Sequence, residues 1–458
     1  MAWLFLLLSA AFLLLAVFIA RSRGLEWKLR KAEAQLAKLA GKNVSAAERY
    51  QLLKTLFVLI AQKPDGADDK VAYKAIDLLQ LAYGQGLARP DEPVSITALV
   101  GSLLSQGRSD LAAAVLDTYR GLLRDLGSAE MAAEQLQTVG VMAMKAKQSF
   151  VAAKAIDILF TVFEKPEKAA DPKAVTAALG AVRVIGKFAL KRGEQDFFRE
   201  LVVRLRGFLV ASPQPAVSAA SLVAVFSLWM QVIVSKQDEV ALPLLLDCAQ
   251  ELVDRKVIDK SIISGILSEW RDLAGIASLN PHSQMAAIII KDMVKLAEKT
   301  QDAALWGSMV SAVMKTVRVV IDQYGTGYAF LLLYPLLDAS RKMLGAQIRF
   351  PAETAVSDFR QHALFSVVKE FLAVAEFVAR SRIAGTTYDV VEEFYHFWRD
   401  DQELNYKIKS AKKFFQLLIL FWQKHMARQA SKQMSPQPEL LEPPVLTATD
   451  LERLGFMT

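Results

Sequence analysis

The sequence predicts an all-α chain: an N-terminal transmembrane helix followed by an α-solenoid of helix-turn-helix repeats with a period of about 40 residues. Three observations carry this. Ala and Leu fill long segments in which Gly and Pro are sparse, and the one Asp-Gly, Asp65-Gly66, lies between helical patterns rather than strands. The first twenty residues hold no charged side chain. A nine-residue motif recurs: VAYKAIDLL at 71–79 and VAAKAIDIL at 151–159 agree at seven of nine positions, with LAAAVLDTY ungapped midway at 111–119.

Residues 1–20 carry the apolar side chains of an anchor: Trp3, Leu4, Phe5, Leu6, Leu7, Leu8, Phe12, Leu13, Leu14, Leu15, Val17, Phe18 and Ile19. At about 1.5 Å per residue, such a helix spans the roughly 30 Å hydrocarbon core. A cleaved signal peptide wants a basic n-region and small residues before the cut. Here no basic side chain precedes the run, and the best frame, Phe18-Ile19-Ala20, has a bulky residue where a small one belongs. Arg21, Arg23, Lys28, Arg30 and Lys31 follow it, a flank suited to anionic lipid headgroups. The positive-inside rule then predicts a single-pass protein with its N-terminus out and its bulk cytoplasmic. Asn43-Val44-Ser45 fits a glycosylation pattern that has no meaning on that side.

Residues 21–43 read as a basic juxtamembrane helix. Leu25, Leu29, Ala32, Leu36 and Leu39 alternate at spacings of four and three. That seam fits an amphipathic helix at the membrane, or a homodimer zipper through 25–39. Gly41-Lys42-Asn43 ends it, and Ser45 with Glu48 spells a capping box for the next helix.

The array is expected over 44–210 and 211–428. Asp77, Asp117 and Asp157 recur every 40 residues, as do Ala72, Ala112 and Ala152. The stretches before the last two copies, 96–110 and 136–150, read as the first helix of each hairpin. Small Ala residues allow paired helices to approach closely. Looser copies at 195–209, 239–253 and 285–299 continue the pattern with insertions. The period resembles that of HEAT or tetratricopeptide solenoids, and Gly101, Leu104 and Ala113 sit at spacings like the latter. The Trp and Tyr of that pattern are missing, so the likeness stops at the class.

Three inner stretches compete as further spans. Residues 323–337 and 414–422 are too short for a full crossing. Residues 216–235 are long enough, and they support the alternative of a polytopic, transport-related membrane protein. Residues 406–429 set Lys407, Lys409, Lys412 and Lys413 before an apolar block, which fits either peripheral membrane contact or burial. From 429 to 458 a Pro-rich tail precedes a short capped segment whose Leu451, Leu454 and Phe456 suit docking on a partner groove.

Charge and chemistry narrow the function. The net charge is +7, with seven Lys/Arg in 21–43 and seven in 404–432. Basicity confined to two apolar-flanked segments suits a membrane surface and argues against nucleic acid. One cysteine, Cys248, allows no intrachain disulfide. His282, His362, His396 and His425 form no metal-ligand pair, and Glu393 with His396 has no second copy to complete a di-iron set. Gly325-Thr326-Gly327 lacks the phosphate-loop lysine. The dense aromatics at 394–398 suit core packing. No catalytic, cofactor-binding or metal residue is therefore predicted. The expected function is a membrane-anchored scaffold or adaptor binding a protein partner at the cytoplasmic face, with an enzyme lacking a recognisable motif as the remaining alternative.

Overall fold

The structure, a computed structural model, describes residues 24–40, 45–62, 69–87, 96–125, 129–163, 171–211 and 219–324, with scattered helical residues beyond them to 374. Every regular element among the described residues is an α-helix: α1 (24–39), α2 (Ala46–Ala61), α3 (Lys70–Gly84), α4 (Ile96–Ser105), α5 (Ser109–Asp125), α6 (Ala129–Lys145), α7 (Ser149–Val162), α8 (Pro172–Arg192), α9 (Gln195–Ala211), α10 (Ala219–Lys236), α11 (Ala241–Asp254), α12 (Lys260–Ala277), α13 (Met285–Thr300) and α14 (Ala303–Tyr324). They fall into two compact units, Met1–Val232 and Ile233–Thr458.

Local chemistry sets the helix ends. The capping box forms as read: the Glu48 amide donates to Ser45 Oγ, and the Ser45 amide donates to Glu48 Oε2 at 3.2 Å. Ser45 Oγ also donates to Glu48 Oε2 at 2.7 Å, and that bond, followed by the one from the Ser45 amide, holds the Glu48 carboxyl below its usual range. Asp171 caps α8 ahead of Pro172, and Asp259 caps α12 through the Ile262 amide at 2.9 Å.

Within the first unit the helices stack in two layers. α2, α4, α6 and α8 pack in succession to make layer A, and α3, α5, α7 and α9 make layer B, each A helix pairing with the B helix that follows it. In the second unit α11 packs on α13 in one layer and α12 on α14 in the other, with α12 and α13 as the hairpin. This is the helical-repeat architecture the motif predicted. Side-chain hydrogen bonds between repeats show the same period, joining residues 37 to 48 apart in both units. Arg108, for instance, donates to the carbonyls of Ile60 and Gln62 at the end of α2 and pairs with Asp69 at 2.6 Å.

The B-layer register extends further toward the N-terminus than the motif did. Ala72, Ala112 and Ala152 are all buried, and so is Ala32, another 40 residues earlier. Leu36, Ile76, Leu116 and Ile156 form a second such row, and Leu39, Leu79, Tyr119 and Leu159 a third. α1 thus has the interior face of a B helix. All five seam residues, Leu25, Leu29, Ala32, Leu36 and Leu39, are covered within the single chain. A homodimer through 25–39 would have to expose the face that the fold already buries.

Four of the A-to-B turns close alike. Gly107, Lys147, Gly193 and Gln237 each take a left-handed φ, between 55° and 75°. After each, the next amide reaches back five residues: Arg108 to Leu103, Gln148 to Ala143, Glu194 to Ala189 and Asp238 to Ile233. This is the Schellman closure, which favours glycine. An L-residue pays roughly 1–2 kcal/mol in this conformation, partly offset by glycine's extra chain entropy. Gln237→Gly is therefore expected to stabilise the protein by about 0.5–1 kcal/mol, read as a higher denaturation midpoint.

Glycines also set the spacing of layer A. A Cβ built on Gly140 would lie 2.4 Å from Ile185 Cδ1, and one on Gly186 would lie 2.5 Å from the Trp229 indole. Gly101 faces Met142 Sδ at 3.0 Å in the same way. Each glycine is a notch that receives a side chain from the next repeat. Gly101, noted in the sequence for its spacing, is the first of the series.

Candidate interaction surfaces

The anchor residues 3–19, with Arg21 and Arg23, lie outside the described residues, as do Leu451, Leu454 and Phe456, His362, His396 and His425, Gly325-Thr326-Gly327, and the segments 394–398 and 406–429. The rest of the basic flank is on the page. Lys28, Arg30 and Lys31 are exposed on α1, on the side away from the buried seam. With them is Trp27, 61% exposed, with Lys31 Nζ 5.3 Å from its ring centroid. The spacing of charges in the sequence marks the lysines and arginines but not Trp27. Its signal was helical position: it falls between the seam residues Leu25 and Leu29, on the opposite face.

A second basic and aromatic cluster lies where α6 and α8 end. Lys145 Nζ sits 5.6 Å from the Phe188 ring centroid, and Arg192 Nη2 donates to the Lys145 carbonyl at 3.4 Å. Lys147 occupies the turn beside them. Phe150, in the first turn of α7, is 60% exposed, with Lys154 Nζ 5.8 Å from its ring centroid. Lys154 also pairs with the repeat aspartate Asp117, and Arg204 pairs with Asp157. These repeated aspartates thus tie neighbouring B helices rather than forming a site. Burial lowers the Arg204 guanidinium's affinity for its proton.

The second unit carries an aromatic cluster of its own. Tyr324 Oη donates to the Leu279 carbonyl at 2.6 Å, Tyr328 Oη donates to Asn280, and the two rings meet edge to face at 6.1 Å. Burial, and then the neighbouring Tyr324, push the Tyr328 phenol up. Ile276, Leu279, Leu331 and Tyr334 are exposed apolar side chains nearby in sequence.

Among the described residues no group of three or more His, Cys, Asp or Glu can hold a metal ion. Cys248 is buried in α11, and His282 is exposed in the turn before α13. Two described helices are long and apolar enough to cross a membrane: Ala219–Lys236, with mean hydropathy 1.6, and Ala303–Tyr324, with 1.4. The first overlaps the span expected at 216–235; the second was not among the expected spans. Half of the first window and more than half of the second are buried against other helices, as in core helices of an array.

The packing of the described residues defines a helical-repeat protein, with basic and aromatic side chains among its exposed groups. No family model matches the chain, and no curated protein does. Among solved structures, it is similar to one described as a circular tandem repeat protein with novel repeat topology and enhanced subunit contact surfaces. The identity is 13%, the match covers 85% of this chain and 91% of that one, and the TM-score is 0.35. At that score the likeness carries no argument, and the repeat architecture rests on the register and packing of this chain.

Proposed function

We propose that the protein is a membrane-anchored helical-repeat scaffold that binds a protein partner at the cytoplasmic face of the bilayer. The observation that carries this reading is the register of α1. Its buried rows place it as a B helix of the array, and only residues 21–23 separate it from the uncharged run 1–20. An anchor so joined confines the array to the membrane surface and raises the local concentration of whatever it holds there. Repeat arrays bind through extended surfaces rather than pockets. The apolar tail residues Leu451, Leu454 and Phe456 offer a second, tethered contact for a partner.

Deletion of 1–20 tests the anchor. The full-length protein is expected to stay with membranes through high salt and alkaline carbonate, whereas the truncated protein is expected in the supernatant with its helical signal intact. A truncated protein that still sediments wholly with washed membranes would overturn the single-pass reading in favour of a second span at 219–236.

A further inference from the structure

The cluster at the ends of α6 and α8 lies at a particular edge of the first unit. Every B helix there begins at an A-to-B turn: α5 after 106–108, α7 after 146–148, α9 after 193–194. By its register α1 is also a B helix, so residue 24, where the apolar run joins the fold, begins at this same edge. Packed helices are spaced by about 8–10 Å. Phe150, three B helices along from α1, therefore lies roughly 25–30 Å from residue 24, at the same edge.

We infer that this edge is a second membrane contact, in which Phe150 enters the headgroup region of an anionic bilayer and Lys145, Lys147 and Arg192 pair with acidic lipid headgroups. Charge complementarity and continuity with the anchor select the occupant. An exposed aromatic flanked by cations is the composition of an interfacial contact, with the ring at the headgroup level and the ammonium and guanidinium groups among the phosphates. Trp27 with Lys31 repeats that pairing beside the anchor. Two contacts on one edge lay the first unit along the bilayer, where an anchor alone would leave it free to pivot. The strip is centred on the third repeat, because Asp110 in the repeat before it and Glu194 and Asp196 in the repeat after it bring negative charge to the edge. The inference rests on the anchor reading both for the orientation of the edge and, together with charge complementarity, for the choice of a bilayer as its occupant.

The test uses the full chain in vesicles. Cys248 is buried, so a thiol introduced by Ser149→Cys takes an environment-sensitive fluorophore selectively. Gln85→Cys, at the opposite end of layer B, is the control. In vesicles containing phosphatidylserine, the label at 149 is expected to be quenched by spin-labelled lipid, and the label at 85 is not. Lys145→Glu, Lys147→Glu and Arg192→Glu together should lower the quenched fraction roughly tenfold, since each cation near an anionic surface contributes independently. Phe150→Ser should lower it without altering the charge. Flotation of the same samples reads the anchor separately: if the protein fails to float, the anchor reading has failed, and quenching by added phosphatidylserine vesicles still decides the edge. An unquenched label on floating protein overturns the inference, as does equal quenching in phosphatidylcholine alone. A label shielded only in native membranes also overturns it and assigns the edge to a protein.

Discussion

Gly186→Val is expected to cost about 3 kcal/mol, at the upper end of what overpacking a core does. The β-carbon it introduces would fall 2.5 Å from Cε2, Cζ2 and Nε1 of Trp229. That indole has nowhere to go. It is wholly buried, its Nε1 donates to the Arg183 carbonyl at 2.9 Å, and its ring meets Phe198 edge to face at 5.1 Å. Moving it breaks the hydrogen bond, worth about 1 kcal/mol, along with the aromatic contact. Gly180→Val on the same helix is the control, because nothing lies within 4 Å of a β-carbon there. Chemical denaturation of the two variants should give well-separated midpoints. Adding Trp229→Leu to Gly186→Val should restore part of the loss, as expected of a coupled pair. If the Gly186 and Gly180 variants unfold alike, the notch does not set the spacing of the layer.

Ala112→Trp is expected to be nearly as damaging, at about 3 kcal/mol. Ala112 is fully covered and shares its row with Ala32, Ala72 and Ala152. Only a methyl side chain leaves room for the helices of layer B to approach at that level. Lys54→Ala should change stability by roughly 0.5 kcal/mol or less, because Lys54 is exposed and meets Tyr50 only through a loose ring contact at 6.0 Å. Equal melting temperatures for the two would mean that the 40-residue register is wrong.

Much of the repeat was legible because its signals are local in sequence. Alanines 40 residues apart imply equivalent burial, and Ser45 with Glu48 implies a cap, without any knowledge of the partner helix. The glycine notches were less legible. Gly101 stood out by its spacing, but Gly140 and Gly186 face different side chains, so no motif repeats around them. In the seam from Leu25 to Leu39, heptad spacing and the buried face of a repeat helix look alike over two turns. What separates them is Ala32, a small residue in the row of Ala72, seen only when the 40-residue frame is carried one step back. The basic edge was hidden for another reason. Lys145, Phe188 and Arg192 are brought together by the turn geometry, and distance along the chain conceals their cluster.

The turns at 106–108, 146–148 and 193–194 are short, while the connections on the opposite side run over 85–95, 126–128, 163–171 and 212–218. From α4 to α9 the A-to-B side thus keeps a count of two or three residues per turn, whereas the first A-to-B connection, 62–69, is longer. Over these three turns the structure behaves as a ruler: successive turns present their residues at the helix-packing pitch of about 10 Å, whatever length lies in the connections opposite. A flat ligand surface meeting this edge encounters an evenly graduated row, and lengthening the chain within a repeat leaves the graduations where they were.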